Sequence, residues 1–487
     1  MKREIRWYDY ITVNIYWLGL TTISQVVGLI YPLLVQRFVG EELKGTFFGT
    51  LRLSGLMIAV LVQALMGMLS DHSTLRWGRR RPFIFIGTVL NMILFIVVGL
   101  ISDLEGMAGF WALFVVANLS QVASNTAHGA QQGFIPDLVP RDLRGRFSGV
   151  KAVLEVPIPV ILVALAVAPV IGDGNLSGAL LILVGVIGLV MAITMLVPEK
   201  AQEEPPGELD WRPFLRLVMM TALFTAVILG MGAGVKTVGR LIEPVDSTGV
   251  VIAIMGLIGL VAMAIAVGLG VWASVRISIG RGMAQHPSFV WWVINRLAFL
   301  IGTHNLSTFA VYFIQGRLGF AAEEAADPAG KMMMFVGIAI LLSALLSGWL
   351  VDRFGQKRLL IVSGLVAALG TLILLLSPNM TVIYVGGCLV GLATGLFFTA
   401  NWALGTSLVP EHEAGRYLGI SNLAGAGAGA IGAYIGGPIA DYLTVRVPDQ
   451  PGLGYVLLFA IYGVLFLLSV TALAGVRSSR RESPLQP

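Results

Sequence analysis

Gly67-Met68-Leu69-Ser70-Asp71, followed by Gly78-Arg79-Arg80-Arg81-Pro82, returns later in the chain as Gly348-Trp349-Leu350-Val351-Asp352-Arg353-Phe354-Gly355-Gln356-Lys357-Arg358. Each copy is a Gly-x-x-x-Asp turn followed by a basic cluster, and each joins two long apolar segments. The chain has 487 residues, 56% hydrophobic and 12% charged. A soluble surface of this size would need more charge. Apolar runs of about 20 residues, each enough to cross hydrocarbon as a helix, recur along the whole length. The composition therefore describes a polytopic helical membrane protein.

Fourteen candidate spans follow: 10–36, 47–69, 82–101, 108–134, 146–171, 177–197, 213–235, 249–275, 288–315, 332–351, 357–376, 381–404, 414–441 and 453–475. The first apolar run lacks a small-residue cleavage site and is expected to be a retained span. With the N-terminus inside, 23 of the 32 Lys and Arg fall on the inner side and eight outside, Arg52 among the eight; Arg296 lies within a span. This bias predicts both termini in the cytoplasm, and a bacterial plasma (inner) membrane is the expected location. It also explains the pI of 9.3 without nucleic acid. The single cysteine, Cys388, forms no disulfide framework.

A second repeat supports an internal duplication. Leu138-Val139-Pro140, Gly145-Arg146 and Gly149 recur as Leu408-Val409-Pro410, Gly415-Arg416 and Gly419 at a constant offset of about 270 in the scheme of parallel repeats. The expected organisation is a six-helix bundle over 1–197, an acidic linker over 198–212, an inserted transmembrane hairpin facing lipid over 213–287, and a second six-helix bundle over 288–487. Two inserted spans keep the second half in the orientation of the first.

On the two copies of the loop and their places, the chain resembles the major facilitator superfamily over essentially its full length. The longer first copy, continuing through Arg76-Trp77 to Phe83, is similar to the sucrose-type and proton-associated sugar transporters and to the wider glycoside–cation symporters. The resemblance implies an all-α major facilitator fold and secondary active transport by alternating access. It also implies contacts that cross between the halves and hold the cytoplasmic side shut. Asp71 would then lie near the helix start at Arg416, and Asp352 near the one at Arg146, each carboxylate accepting from a helix N-terminus. Gly67 and Gly348 would allow close helix approach. Arg79 or Arg80 would pair with Asp137; the equivalent of Asp137 is Ser407, so the second half lacks that link. Arg353, Lys357 and Arg358 complete the expected gating set.

Cargo and coupling are read from polar residues inside spans. Asn118, Gln121, Asn125, His128 and Gln132 recur at 3, 4, 3 and 4 residues and share one face of the fourth span. Such a face belongs to the interior or a wet cavity rather than to lipid. Asn14, Trp17, Thr21 and Gln25 form a weaker stripe on the first span. The offset carries the fourth-span stripe onto Cys388, Gly391, Gly395, Phe398 and Trp402, giving a cavity polar on one side, small and aromatic on the other. His304, Thr308 and Gln315 are expected along one side of the ninth span. Glu155 and Arg296 lie roughly 13 and 12 Å along their helices, so an opposite-charge pair that reports proton uptake is expected, with His128 as a second proton candidate.

The expected function is proton-coupled uptake of a sugar or glycoside. The alternatives are an exporter or flippase of an amphiphile, lipid or drug, and a non-transporting membrane scaffold or pigment-assembly factor. Nucleotide-binding and zinc motifs are absent from the sequence, so neither an enzyme nor a resident cofactor is expected. The sugar–cation symporters usually carry carboxylates in the first or fourth span, and only Asp9 and Asp137 stand at those edges here. Sodium coupling is disfavoured on that ground. The expected partners are a small-molecule solute and the bilayer, with the protein as a monomer.

Overall fold

The computed structural model describes residues 5–199, 207–278, 287–408, 414–450 and 452–476, with side chains from 423 onward in the fourth of these segments. Among the described residues there are helices and no strand. The spans are α1 (Asp9–Val39), α2 (Lys44–Asp71), α3 (Arg81–Ile101), α4 (Gly106–Leu138), α5 (Arg144–Gly172) and α6 (Leu176–Thr194). They continue as α7 (Arg212–Leu241), α8 (Thr248–Ser278), α9 (Pro287–Thr308), α10 (Ala326–Phe354), α11 (Gln356–Leu376), α12 (Met380–Leu408), α13 (Ala414–Arg446) and α14 (Leu453–Gly475). A short helix, Ala310–Leu318, leaves α9 at a bend of 61°. The fold is thus the expected all-α one: two six-helix bundles, α1–α6 and α9–α14, plus the hairpin α7–α8.

Several spans are broken where the sequence predicts continuity. The bend at Phe309 divides the expected span 288–315. In α5 the helix breaks at Val156, ahead of Pro157, and then contains a π-helical stretch over Val163–Val167, just before Pro169. Proline removes a backbone donor and crowds the preceding turn, so breaks here have an identifiable cause.

The hairpin is not simply a lipid-facing addition. On α7, Met220, Phe224, Ile228, Gly232, Val235 and Gly239 are buried at spacings of three and four, one face of a helix. Phe224 sits against Gly270 of α8 and Gly427 of α13, and Gly232 receives the ring of Tyr434. Leu215, Met219 and Leu229 on the opposite face are exposed, as expected of a lipid boundary. The hairpin therefore clasps α13 with one face and meets lipid with the other.

The two bundles meet chiefly along α2 with α13 and α5 with α10. On α2, Gly45 and Gly49 are four apart; on α13, Ala433 and Gly437 are four apart. Small residues at this spacing let helix backbones touch. A Cβ at Gly49 would run into the Ala433 carbonyl, and one at Gly437 into the Gly45 carbonyl. Likewise Gly330 and Gly337 of α10 rest on Ala168 and Val160 of α5. All of these contacts lie toward the end of the molecule away from the two basic loops.

Candidate functional site

At that far end the halves are held by polar links as well as by glycine contacts. Asp441 of α13 accepts from the backbone N–H of Gly45 at 2.8 Å and of Thr46 at 2.7 Å. These donors belong to the first turn of α2, which has no intrahelical acceptor for them. A buried carboxylate thus caps a helix across the bundle interface, with the helix dipole in its favour. Beside it, the Lys44 ammonium reaches Gln315 Oε1 at 3.1 Å, Glu41 at 2.5 Å, and the face of the Tyr312 ring at 4.6 Å. The Tyr312 hydroxyl donates to the Pro32 carbonyl at 2.7 Å, and Arg37 pairs with Glu323 at 2.5 Å.

The basic-loop end is different. Arg80 pairs with Asp71 at 2.5 Å and with Asp137 at 2.5 Å, and donates to Ser70 Oγ at 3.1 Å; Arg79 also pairs with Asp137. Glu199 accepts from the backbone N–H of Arg80 and Arg81, closing the start of α3. Partial burial works against the Arg79 charge. The Asp137 hydrogen bond and the carboxylates of Asp137, Asp71 and Glu199 outweigh it and hold its pKa above the ordinary arginine value. Both arginines reach Asp137, but every one of these links stays inside the first bundle. Asp71 is paired with Arg80 of its own half; the Arg416 side chain, its expected neighbour across the interface, lies outside the described residues. Asp352 and Arg146 are exposed and pair with nothing among the described residues.

The second loop copy has its own local contacts. Arg353 lies over Trp349 and Phe354, Lys357 donates to the Val476 carbonyl at 2.9 Å, and Arg358 is exposed. Gly78 and Gly355 take positive φ, 109° and 84°, the backbone form that suits glycine. Gly67 packs near the Gly129 carbonyl at 3.7 Å, whereas Gly348 has no neighbour within 4 Å of where a Cβ would stand. The expected close approach is therefore found in the first copy and not in the second.

Between the ends, the polar residues divide into packing groups and interior groups. Asn14 donates to the Tyr10 and Phe147 carbonyls and is a fastener between α1 and α5 rather than a wall of a cavity. Asn125 bonds Gln121, and Asn118 bonds the Phe114 carbonyl. His128 is the hub of the α4 face, with Gln63 at 3.4 Å, Gln132 at 3.3 Å and the edge of Trp17 at 5.3 Å between ring centres. Lys151 of α5 stands over the same Trp17 ring at 3.6 Å and pairs with Glu155 at 3.5 Å. Thr21 and Gln25, further along α1, are half-buried.

The expected Glu155–Arg296 pair is not formed. Glu155 is held by Lys151 on its own helix, and Arg296 donates to Asn401 Oδ1 at 2.8 Å. Asn401 in turn bonds Asn295, and its carbonyl receives the Trp292 indole N–H. Offset by 270, Asn401 corresponds to Gln131, which donates to the Val13 carbonyl of α1 at 2.8 Å. Both halves thus tie their fourth span to their first with an amide at the same place, a correspondence the stripe itself did not reveal.

On α9, Thr308 donates to the His304 carbonyl; Gln315 lies past the bend and belongs to the Lys44 cluster, not beside His304. On α12, Gly391 and Gly395 pack onto α10, so the small face carried over by the offset is a helix contact. Phe398 and Trp402, next along that face, are exposed.

Two interior charges escaped the sequence reading. Lys151 is one of the 23 residues assigned to the inner side and Arg52 one of the eight assigned outside, yet both stand within helices. Arg52 lies eight residues into α2, roughly 12 Å from its start, in a small cavity with Tyr31, Asn118 and Gln121. Asp441, the last residue of the expected span 414–441, is the buried cap of α2. Counting charges by loop hides residues that sit two turns inside a helix.

The second half, residues 292–487, matches the family profile described as Major Facilitator Superfamily, and residues 32–129 match the BT1 family. The Bacillus subtilis "Minor myo-inositol transporter IolF" is 31% identical over 132 residues, 27% of this chain and 28% of that protein. The Photorhabdus laumondii "Multidrug resistance protein MdtH" is 28% identical over 159 residues, 32% of this chain and 38% of that one. The chain therefore spans less than half the length of these relatives. The solved peptide transporter POT superposes with a TM-score of 0.66 at 16% identity, covering 97% of this chain and 95% of that one. The chain has the major facilitator fold throughout, and its second half carries the sequence pattern of that superfamily.

Proposed function

We propose that the protein is a secondary transporter that carries a hydrophilic solute by alternating access. One observation carries this reading. The far ends of the bundles are sealed by Asp441 on α2, Tyr312 on Pro32 and Arg37 on Glu323, while among the described residues the loops at the opposite end bond only within their own halves. With the basic loops assigned to the cytoplasm, this is an inward-facing state. A sugar or polyol cargo is favoured by the amide groups of Gln63 and Gln132 around His128 and by the likeness to a protein named as a myo-inositol transporter. Glu155 is the proposed proton carrier, with Lys151 in place of Arg296 as the partner that feels its charge.

The test is uptake into proteoliposomes under an imposed pH gradient, with labelled glucose, xylose and myo-inositol. Accumulation driven by inward proton flow is the expected result. A second reading, export of an amphiphile, is favoured by the exposed Phe398 and Trp402 and by the multidrug relative. Dye extrusion with no response to any sugar would select it.

A further inference from the structure

Arg52 and Arg296 come from different halves, and neither has a carboxylate partner among the described residues. Arg52 makes no side-chain hydrogen bond there, and its Nε is buried without an acceptor. Arg296 has one neutral acceptor, Asn401 Oδ1, and its Nε is likewise buried and unpartnered. Across the same small cavity as Arg52, the Asn118 Oδ1 acceptor is also buried with no donor. The two helices converge on one point of α13: a Cβ at Gly429 would stand 2.9 Å from Leu56, about one turn from Arg52 on α2, and 3.8 Å from the His304 ring, about two turns from Arg296 on α9.

Carboxylates set more than one turn inside a span could have neutralised these charges, and two such groups are described. Glu155 is engaged by Lys151, and Asp441 by the start of α2. Among the described residues, Arg52 and Arg296 are therefore two positive charges within the spans with no carboxylate beside them. A guanidinium at membrane depth is costly, and such residues face an interior path and mark what travels along it. The guanidinium does not titrate in the accessible range, and its planar fork matches carboxylate and phosphate oxygens two at a time. A neutral sugar would leave both charges uncompensated.

We propose that the transported solute bears an anionic group, a carboxylate or a phosphate, and that Arg52 and Arg296 are its receptors, one from each bundle. This deepens the transporter reading and rests on it for the word transported. Because the two arginines sit on opposite bundles, an anion bound to both ties the halves together around itself. Asn118 and Gln121 are placed to take the hydroxyl groups of the same solute beside Arg52.

The experiment uses the purified full-length protein and a matched set: glucose, gluconate and glucose 6-phosphate, with inorganic sulfate as a bare anion. Binding is read from the thermal unfolding midpoint as ligand is raised. At least one anionic member is expected to bind tenfold or more tightly than glucose. Arg52→Gln and Arg296→Gln should each lower that affinity at least tenfold relative to the affinity for glucose, and Arg→Lys at either place should restore part of it. Gluconate against glucose 6-phosphate distinguishes carboxylate from phosphate. Where a Gln variant is not monodisperse, competition of sulfate with the bound anion in the wild type takes its place. Equal binding of neutral and anionic members, or Gln variants that leave their ratio unchanged, would overturn the proposal. Glucose uptake with no anion binding would sink it alone and spare the transporter reading. Anion binding with no uptake of any solute would do the reverse.

Discussion

Glu155 and Asp441 have opposite employments. Glu155 is about a third exposed in its side chain and pairs with Lys151 at 3.5 Å, so its carboxylate is within reach of solvent. We expect Glu155→Gln to abolish the dependence of uptake on an imposed pH gradient while downhill exchange persists; gradient-driven accumulation by the variant would remove Glu155 from coupling. Asp441 is buried and fully engaged by two backbone donors. Hydrogen bonds to a charged group contribute about 1.5–3 kcal/mol net. Asp441→Asn should therefore release the far-end seal by roughly ten- to a hundredfold. Faster labelling of a cysteine placed at Thr50, with reagent added from the outside, reads that release.

At the scale of helices, the seam of α2 and α13 depends on the absence of side chains at Gly49 and Gly437. Gly49→Val would force the backbones apart where the Ala433 carbonyl now lies. Overpacking of this kind costs about 1–3 kcal/mol, and the sealed state alone would bear it. The variant should bind external solute more tightly but release it slowly inside, which single-turnover uptake measures. Phe224 is a different kind of contact, a ring wedged between Gly270 and Gly427. Phe224→Ala should lower stability by about 3–5 kcal/mol and loosen the hairpin from α13, read as a lower unfolding midpoint in detergent. The sequence announced the helices themselves clearly, because a run of 20 apolar residues has few other destinies. It did not announce which faces meet. Asn14 and Asn118 look alike as polar residues in spans, yet Asn14 fastens α5 while Asn118 borders a cavity. The bend at Phe309 carries no proline or glycine at the break to mark it. Arg52 was hidden because depth along a helix depends on where that helix starts, and α2 begins at Lys44, three residues before the apolar run suggests.

For the whole molecule, the arrangement of seals is lopsided: among the described residues, one end is bonded across the halves and the other is not. The Arg37–Glu323 pair is partly exposed and contributes at most about 1 kcal/mol. Arg37→Glu alone should raise access from the far side severalfold, and the double exchange with Glu323→Arg should restore it, both measured by cysteine labelling. Failure of the double exchange to restore closure would show that the pair is incidental.

The cap of Asp441 on α2 has a consequence for how tightly the protein holds its cargo from each side. If the links at that end favour the closed arrangement by about 3 kcal/mol, only about one molecule in 150 is receptive from the far side at any moment. An external ligand then shows an affinity weaker than its intrinsic one by that same factor. A compound reaching the cavity from the basic-loop end carries no such handicap. Measured affinities should therefore differ between right-side-out and inside-out vesicles even though the arginines and amides that meet the ligand are identical.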